Sequence, residues 1–152
     1  MNEAGDEEAG QTAARGRVDS GAGTFPPHPV RGVRAVYARQ RSCPSDFAEV
    51  TVDFEPWEEG IVFEVAARLT THGSISATEL AEYQTALVTG IREELAELGE
   101  ETTAAVAVVL RGMRVHEVDS HRGAFQAVGR VAVRNALALA YGPPPRTKRR
   151  RA

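Results

Sequence analysis

The stretch from Phe47 to Leu69, FAEVTVDFEPWEEGIVFEVAARL, decides the fold. Its first half alternates, with Ala48, Val50, Val52 and Phe54 on one side and Glu49, Thr51, Asp53 and Glu55 on the other. Successive side chains of an extended chain point to opposite faces, so this pattern predicts a strand with one buried and one wet face. Glu55-Pro56 ends it, because proline has no amide to give to a ladder. Glu58-Glu59-Gly60 reads as a turn, and Ile61, Phe63, Val65, Ala67 and Leu69 then recur at period two. The expectation is a second strand paired with the first as a hairpin, with Trp57 a half-buried cover at the turn.

Upstream, Val33 to Arg39 gives a weaker strand pattern. Downstream, Ser76 and Glu79 have capping-box spacing, in which each side chain satisfies a free amide of a helix start. Leu80, Tyr83, Leu87, Ile91, Leu95 and Leu98 follow at steps of three and four, one apolar stripe of an amphipathic helix, with Glu93, Glu94, Glu97 and Glu100 expected toward solvent. Ala104 to Leu110 is short, apolar and valine-rich, the pattern of a central strand buried on both faces. From Ser120 a second helix carries Phe125, Val128, Val131 or Ala132, and Leu139, and Asp119 and Ser120 stand where helix-capping oxygens belong. Gly129 interrupts it at a cost of up to ~1 kcal/mol relative to alanine. That predicts close packing of the helix on the sheet. The order β-β-β-α-β-α makes an α+β two-layer sandwich, two helices on one face of a sheet.

Length and charge bound what this fold serves. The chain has 152 residues, enough for one domain and tails. A single cysteine, Cys43, excludes an internal disulfide and any multi-cysteine metal site, and the four histidines have no metal-ligand spacing. No apolar run reaches the ~18 residues of a membrane span, so the expected location is the cytosol. The formal net charge of −3 is uneven: −3 over residues 1–30, −5 over 31–142 and +5 over 143–152. Residues 1–30 are expected to be a disordered tail, 31–142 the folded domain, and 143–152, which begin with three prolines, a flexible basic tail. An acidic body repels nucleic acid over most of its surface, so any phosphate contact must be local.

The stretch VVLRGMRVHEVDSHRGAFQAVGRVAVRNAL, Val108 to Leu137, resembles domain IV of the elongation factor G translocase family. The family pattern is close to H-E-V-D-S-x-x-x-A-F-x-x-A-G. His116, Glu117, Val118, Asp119, Ser120, Ala124, Phe125 and Gly129 match it in register, and Val128 replaces a small residue. VTVDFEP at Val50 to Pro56, Phe63-Glu64 and GIREEL at Gly90 to Leu95 fall in the family's order, so the resemblance runs from Val33 to Tyr141. It implies a left-handed β-α-β crossover, against the usual rule. It also implies a tip at Arg111 to His121, which in the parent factors reaches the decoding region of the small ribosomal subunit. Two departures stand out. The sequence holds no G-x-x-x-x-G-K-[ST] phosphate loop, and the glycine-rich first tip loop of the relatives is replaced near Asp46 to Glu49.

Together these observations point to a non-enzymatic ribosome- or RNA-binding module that takes no nucleotide, cofactor or metal and does not meet a membrane. Its expected RNA contacts are Arg111, Arg114, His116, His121 and Arg122 at the tip, joined by Arg39 and Arg41, with Arg146, Lys148, Arg149, Arg150 and Arg151 in the tail. The expected partner is the small subunit or another RNA. The alternative is a protein-interaction domain of the same fold without RNA binding, for which the lost glycine loop and the acidic runs argue.

Overall fold

A computed structural model describes residues 23–39 and 46–142. The expectations for the residues before 23 and after 142, and for Arg41 and Cys43, lie outside the described residues. The elements are β1 (Gly23–Phe25), β2 (Val30–Arg39), β3 (Asp46–Pro56), β4 (Gly60–His72), α1 (Ala77–Leu95), β5 (Thr102–Arg114) and α2 (Arg122–Tyr141).

The apolar face of β3 holds as expected, whereas Asp53 on the expected wet face is buried. Ala48, Val50, Val52 and Phe54 are buried in one core with Val33 and Ala35 of β2 and Val106, Val108 and Leu110 of β5. Helices α1 and α2 supply the other layer through Leu87 and Ile91 and through Phe125, Val128 and Ala132. Each large side chain withdrawn from water in this way contributes about 1.5–3 kcal/mol. A mixed sheet with two helices on its apolar face is the α+β sandwich that the sequence predicts.

The pairing differs from the expected hairpin. β3 pairs antiparallel with β2 on one side and with β5 on the other, and β4 lies beyond β5, parallel to it. The apolar run of β5 takes the centre because it alone is buried on both faces; β4 is mostly exposed and suits an edge. The chain therefore passes β5 between β3 and β4: the Trp57 amide donates to the Ala105 carbonyl at 2.8 Å, and the Trp57 side chain is 58% exposed rather than a cover. Parallel strands on either side of α1 make β4-α1-β5 a crossover unit. In β4 the period-two stripe also breaks. Val65 pairs with Leu110 and Thr70 with Gly112, so four residues of β4 stand opposite Arg111 alone. Ile61, Phe63 and Leu69 reach the core, whereas Val65 and Ala67 are exposed.

Upstream of residue 31 the body already begins. β1 pairs parallel with the start of β5, from Gly23 opposite Thr102 to Phe25 opposite Ala104, and Phe25 is fully buried 5.8 Å from the ring of Phe54. One aromatic beside two prolines carries no period to read.

The capping box of α1 forms with both bonds at 3.1 Å. α2 starts at Arg122 rather than at Ser120, with extended His121 at its N-cap and no side-chain cap. Its stripe turns toward Val133 and Ala136, leaving Leu139 63% exposed. Gly129 faces the other helix rather than the sheet: a Cβ there would stand 2.5 Å from the Leu87 carbonyl oxygen, and a Cβ on Gly90 would strike the Gln126 carbonyl. Two glycines thus let the helix backbones touch. Beside them Glu93 and Glu94 are not free in solvent: Glu93 accepts from Gln126 and Arg130, and Glu94 from Arg130 and Arg134.

Candidate nucleic-acid interface

The tip turn between β5 and α2 is pinned on several sides. The Ser120 hydroxyl donates to the Phe47 carbonyl at 2.7 Å and accepts from the His116 amide at 2.8 Å. The Phe47 amide donates to the Asp119 carbonyl at 3.1 Å, and the Tyr83 hydroxyl to the Ser120 carbonyl at 3.2 Å. Tyr83 is held in turn by stacking on Phe125, with centroids 4.6 Å apart. Ser120 and Asp119 are therefore not helix caps. With His121 at the N-cap, their polar atoms face the turn and the start of β3 instead. Held this way, the turn carries His116, Glu117 and Val118 outward, Val118 being 82% exposed.

The five tip candidates do not form one bare basic patch. Arg111 Nε donates to Asp53 Oδ2 at 2.6 Å, and Arg114 Nε lies 3.8 Å from Glu49 Oε1. His116 Nδ1 is 3.3 Å from Asp119 Oδ2, and His121 Nε2 is 2.6 Å from Asp46 Oδ1. Arg122 has no carboxylate within ion-pair distance among the described residues, but it lines a groove between α1 and α2 with Glu82, Thr85 and Gln126. Arg111 and Arg114 line a different cleft, on the sheet face away from the helices. Among the described residues Arg39 reaches only the Tyr37 hydroxyl, at 3.4 Å. The tail cations Arg146, Lys148, Arg149, Arg150 and Arg151 lie outside the described residues.

A bulge puts Arg111 and Arg114 on one face. Three residues apart in a regular strand, they would point to opposite sides. Thr51 pairs with Gly112 while the next residue, Val52, pairs with Leu110, so Arg111 is the extra residue and both arginines turn outward. Asp53 anchors this arrangement. It is 3% exposed, and its second oxygen accepts from the Gly32 amide at 2.8 Å, at an irregularity of β2 where Gly32 has φ 67°. One buried carboxylate thus ties two strand irregularities together and aims a guanidinium.

The same cleft, of about 340 Å³, includes two residues that sequence reasoning missed, Arg34 and His72. Arg34 donates from Nε to Glu49 Oε2 at 2.8 Å. The signal for it was the alternation Val33-Arg34-Ala35, but only the register, Arg34 opposite Thr51 opposite Gly112, brings it beside β5. Among the described residues no three His, Cys, Asp or Glu side chains gather as metal ligands, and no helix is long and apolar enough to cross a membrane.

Comparison with known proteins places this geometry. The family model for elongation factor G, domain IV, matches residues 24–141. The elongation factor G 2 of Streptomyces coelicolor is 33% identical over 112 residues, which cover 66% of this chain but 15% of the relative. A crystal structure from Thermus thermophilus superposes with a TM-score of 0.59 at 22% identity, over 77% of this chain and 16% of that one, a likeness of fold. The match thus spans about one sixth of either relative. On the length of the family match, this chain belongs to the elongation factor G domain IV family.

Proposed function

We propose that the domain acts in translation as a non-enzymatic module that binds ribosomal RNA, in the cytoplasm, with its tip end toward the small subunit. The observation that carries the reading is the pinned turn at residues 115–121. A turn fixed through both Ser120 and Phe47 spends little entropy on docking, and it presents His116 and Val118 to solvent. On this reading Arg111, Arg114, His116, His121 and Arg122 make the tip contacts, and Arg146, Lys148, Arg149, Arg150 and Arg151 add phosphate contacts without sequence choice.

Co-sedimentation of the full chain with purified small subunits across a salt series tests it. If the five tail cations each meet a phosphate on single-stranded RNA, the log-log salt slope is about −3.5, from ~0.7 per contact. Absence of association at low salt contradicts the proposal. One observation favours the protein-interaction alternative: four of the five tip candidates stand beside a carboxylate. Partners that survive nuclease treatment in a pull-down would favour that alternative.

A further inference from the structure

The cleft on the outer face of the sheet is a built arginine site with unused donors. Arg34 from β2 and Arg111 and Arg114 from β5 surround Glu49 and Asp53 of β3, three guanidinium groups to two carboxylates. The pairing is one-sided. Arg31 grips Glu55, and Arg134 grips Glu94, with Nε and Nη2 together. Arg34 and Arg111 engage their acids through Nε alone, and Arg114 stands 3.8 Å away. Among the described residues the terminal nitrogens of these three make no hydrogen bond. A carboxylate that takes the Nε edge fixes the plane of the fork and leaves the two amino groups to a second acceptor, the geometry in which arginine meets phosphate.

The floor suits the same ligand. Gly112 lies between Thr51 and Thr70, and the space above it is free of any side chain of its own, so an acceptor can approach the sheet closely. Thr51, Thr70 and His72 add polar side chains at the rim, with His72 opposite Arg114 in the β4–β5 register.

We propose that Arg34, Arg111 and Arg114 form a backbone-phosphate site for RNA on this sheet face, with Thr51, Thr70 and His72 at its rim. The inference rests on the RNA-binding reading above and moves Arg111 and Arg114 from the tip contacts to a second face, shared with Arg34 and distinct from the pinned turn. The Glu49 charge repels an incoming phosphate even as its carboxylate orients the Arg34 fork, so it acts as an internal brake on affinity.

Fluorescence anisotropy of the full chain with a labelled ten-nucleotide oligouridylate, over a salt series, tests this. The double substitution Arg34→Ala/Arg114→Ala keeps the Arg111–Asp53 pair and so keeps the buried acid partnered. It should weaken binding about tenfold or more and flatten the log-log salt slope by about 1.4, two contacts at ~0.7 each. Glu49→Gln should tighten binding several-fold, a gain that a folding defect does not produce. If the wild type binds and neither variant shifts affinity, the cleft is overturned while the RNA reading stands. If both variants change only the binding of a labelled oligoglutamate peptide, the site is one for acidic protein and the inference fails. If the wild type does not bind the oligonucleotide at low salt, the phosphate site is overturned, while co-sedimentation with small subunits decides separately the reading on which it rests.

Discussion

Asp53 shows how one side chain sets the geometry of the outer face. A carboxylate at 3% exposure survives because two donors meet it, the Gly32 amide and Arg111 Nε. Replacing Arg111 by alanine leaves the acid with one partner, and an under-satisfied buried acceptor costs about 1–3 kcal/mol. Chemical denaturation should show that loss for Arg111→Ala and less than about 0.5 kcal/mol for Arg122→Ala, which has no carboxylate partner among the described residues. Equal effects would mean that the pairing is not what fixes the bulge. At this scale the sequence was half legible. Arg111 and Arg114 could be singled out as cations near a turn, but the single unpaired residue that aligns them leaves no trace in the order of residue types. Ser120 was misread for the same reason: a serine before a helix has the composition of a cap whichever way its hydroxyl points.

Among the elements, β3 and α1 were readable, β4 was readable as a strand but not in its partner, and β1 was not. β3 has a dry face and an opposite face that is wetter except at Asp53, and α1 has a capping box and a stripe; local pattern suffices to find both. β4 has the period of a strand, but its partner is set by the competition for the centre of the sheet, which the apolar run of β5 wins. The helix crossing yields two predictions. Alanine at Gly129 improves helix propensity by up to ~1 kcal/mol, yet its Cβ would lie 2.5 Å from the Leu87 carbonyl, so overpacking of about 1–3 kcal/mol wins. Thermal denaturation of Gly129→Ala should show a clear net loss, and a melting temperature at or above wild type would contradict the crossing. Beside that contact, the hydrogen bonds from Gln126, followed by the Arg130 charge, hold the Glu93 carboxyl below the usual carboxylate range despite the opposing effect of burial. A depressed folded-state value means that this contribution is present above the unfolded value near ~4.3 and fades as pH falls through the folded one. The stability gap between wild type and Gln126→Leu should accordingly narrow as pH drops below about 4; a gap constant down to pH 2 would refute the link.

For the whole molecule, the proposed reading turns on which end would meet the ribosome. The sandwich has a pinned turn at Val118 and an arginine cleft on the outer sheet, while α2 carries Leu139 on a different element. The family is shared with factors of which this chain spans about one sixth, so orientation has to be measured on the chain itself. Crosslinking does so directly. In a Cys43→Ser background, a photoactivatable thiol reagent is placed at Val118→Cys or Leu139→Cys, both exposed positions, and the labelled full chain is irradiated with small ribosomal subunits. A module docked by its tip transfers crosslinks to ribosomal RNA from position 118 and few or none from 139. RNA crosslinks from 139 with none from 118, or none from either position, would contradict tip-first binding.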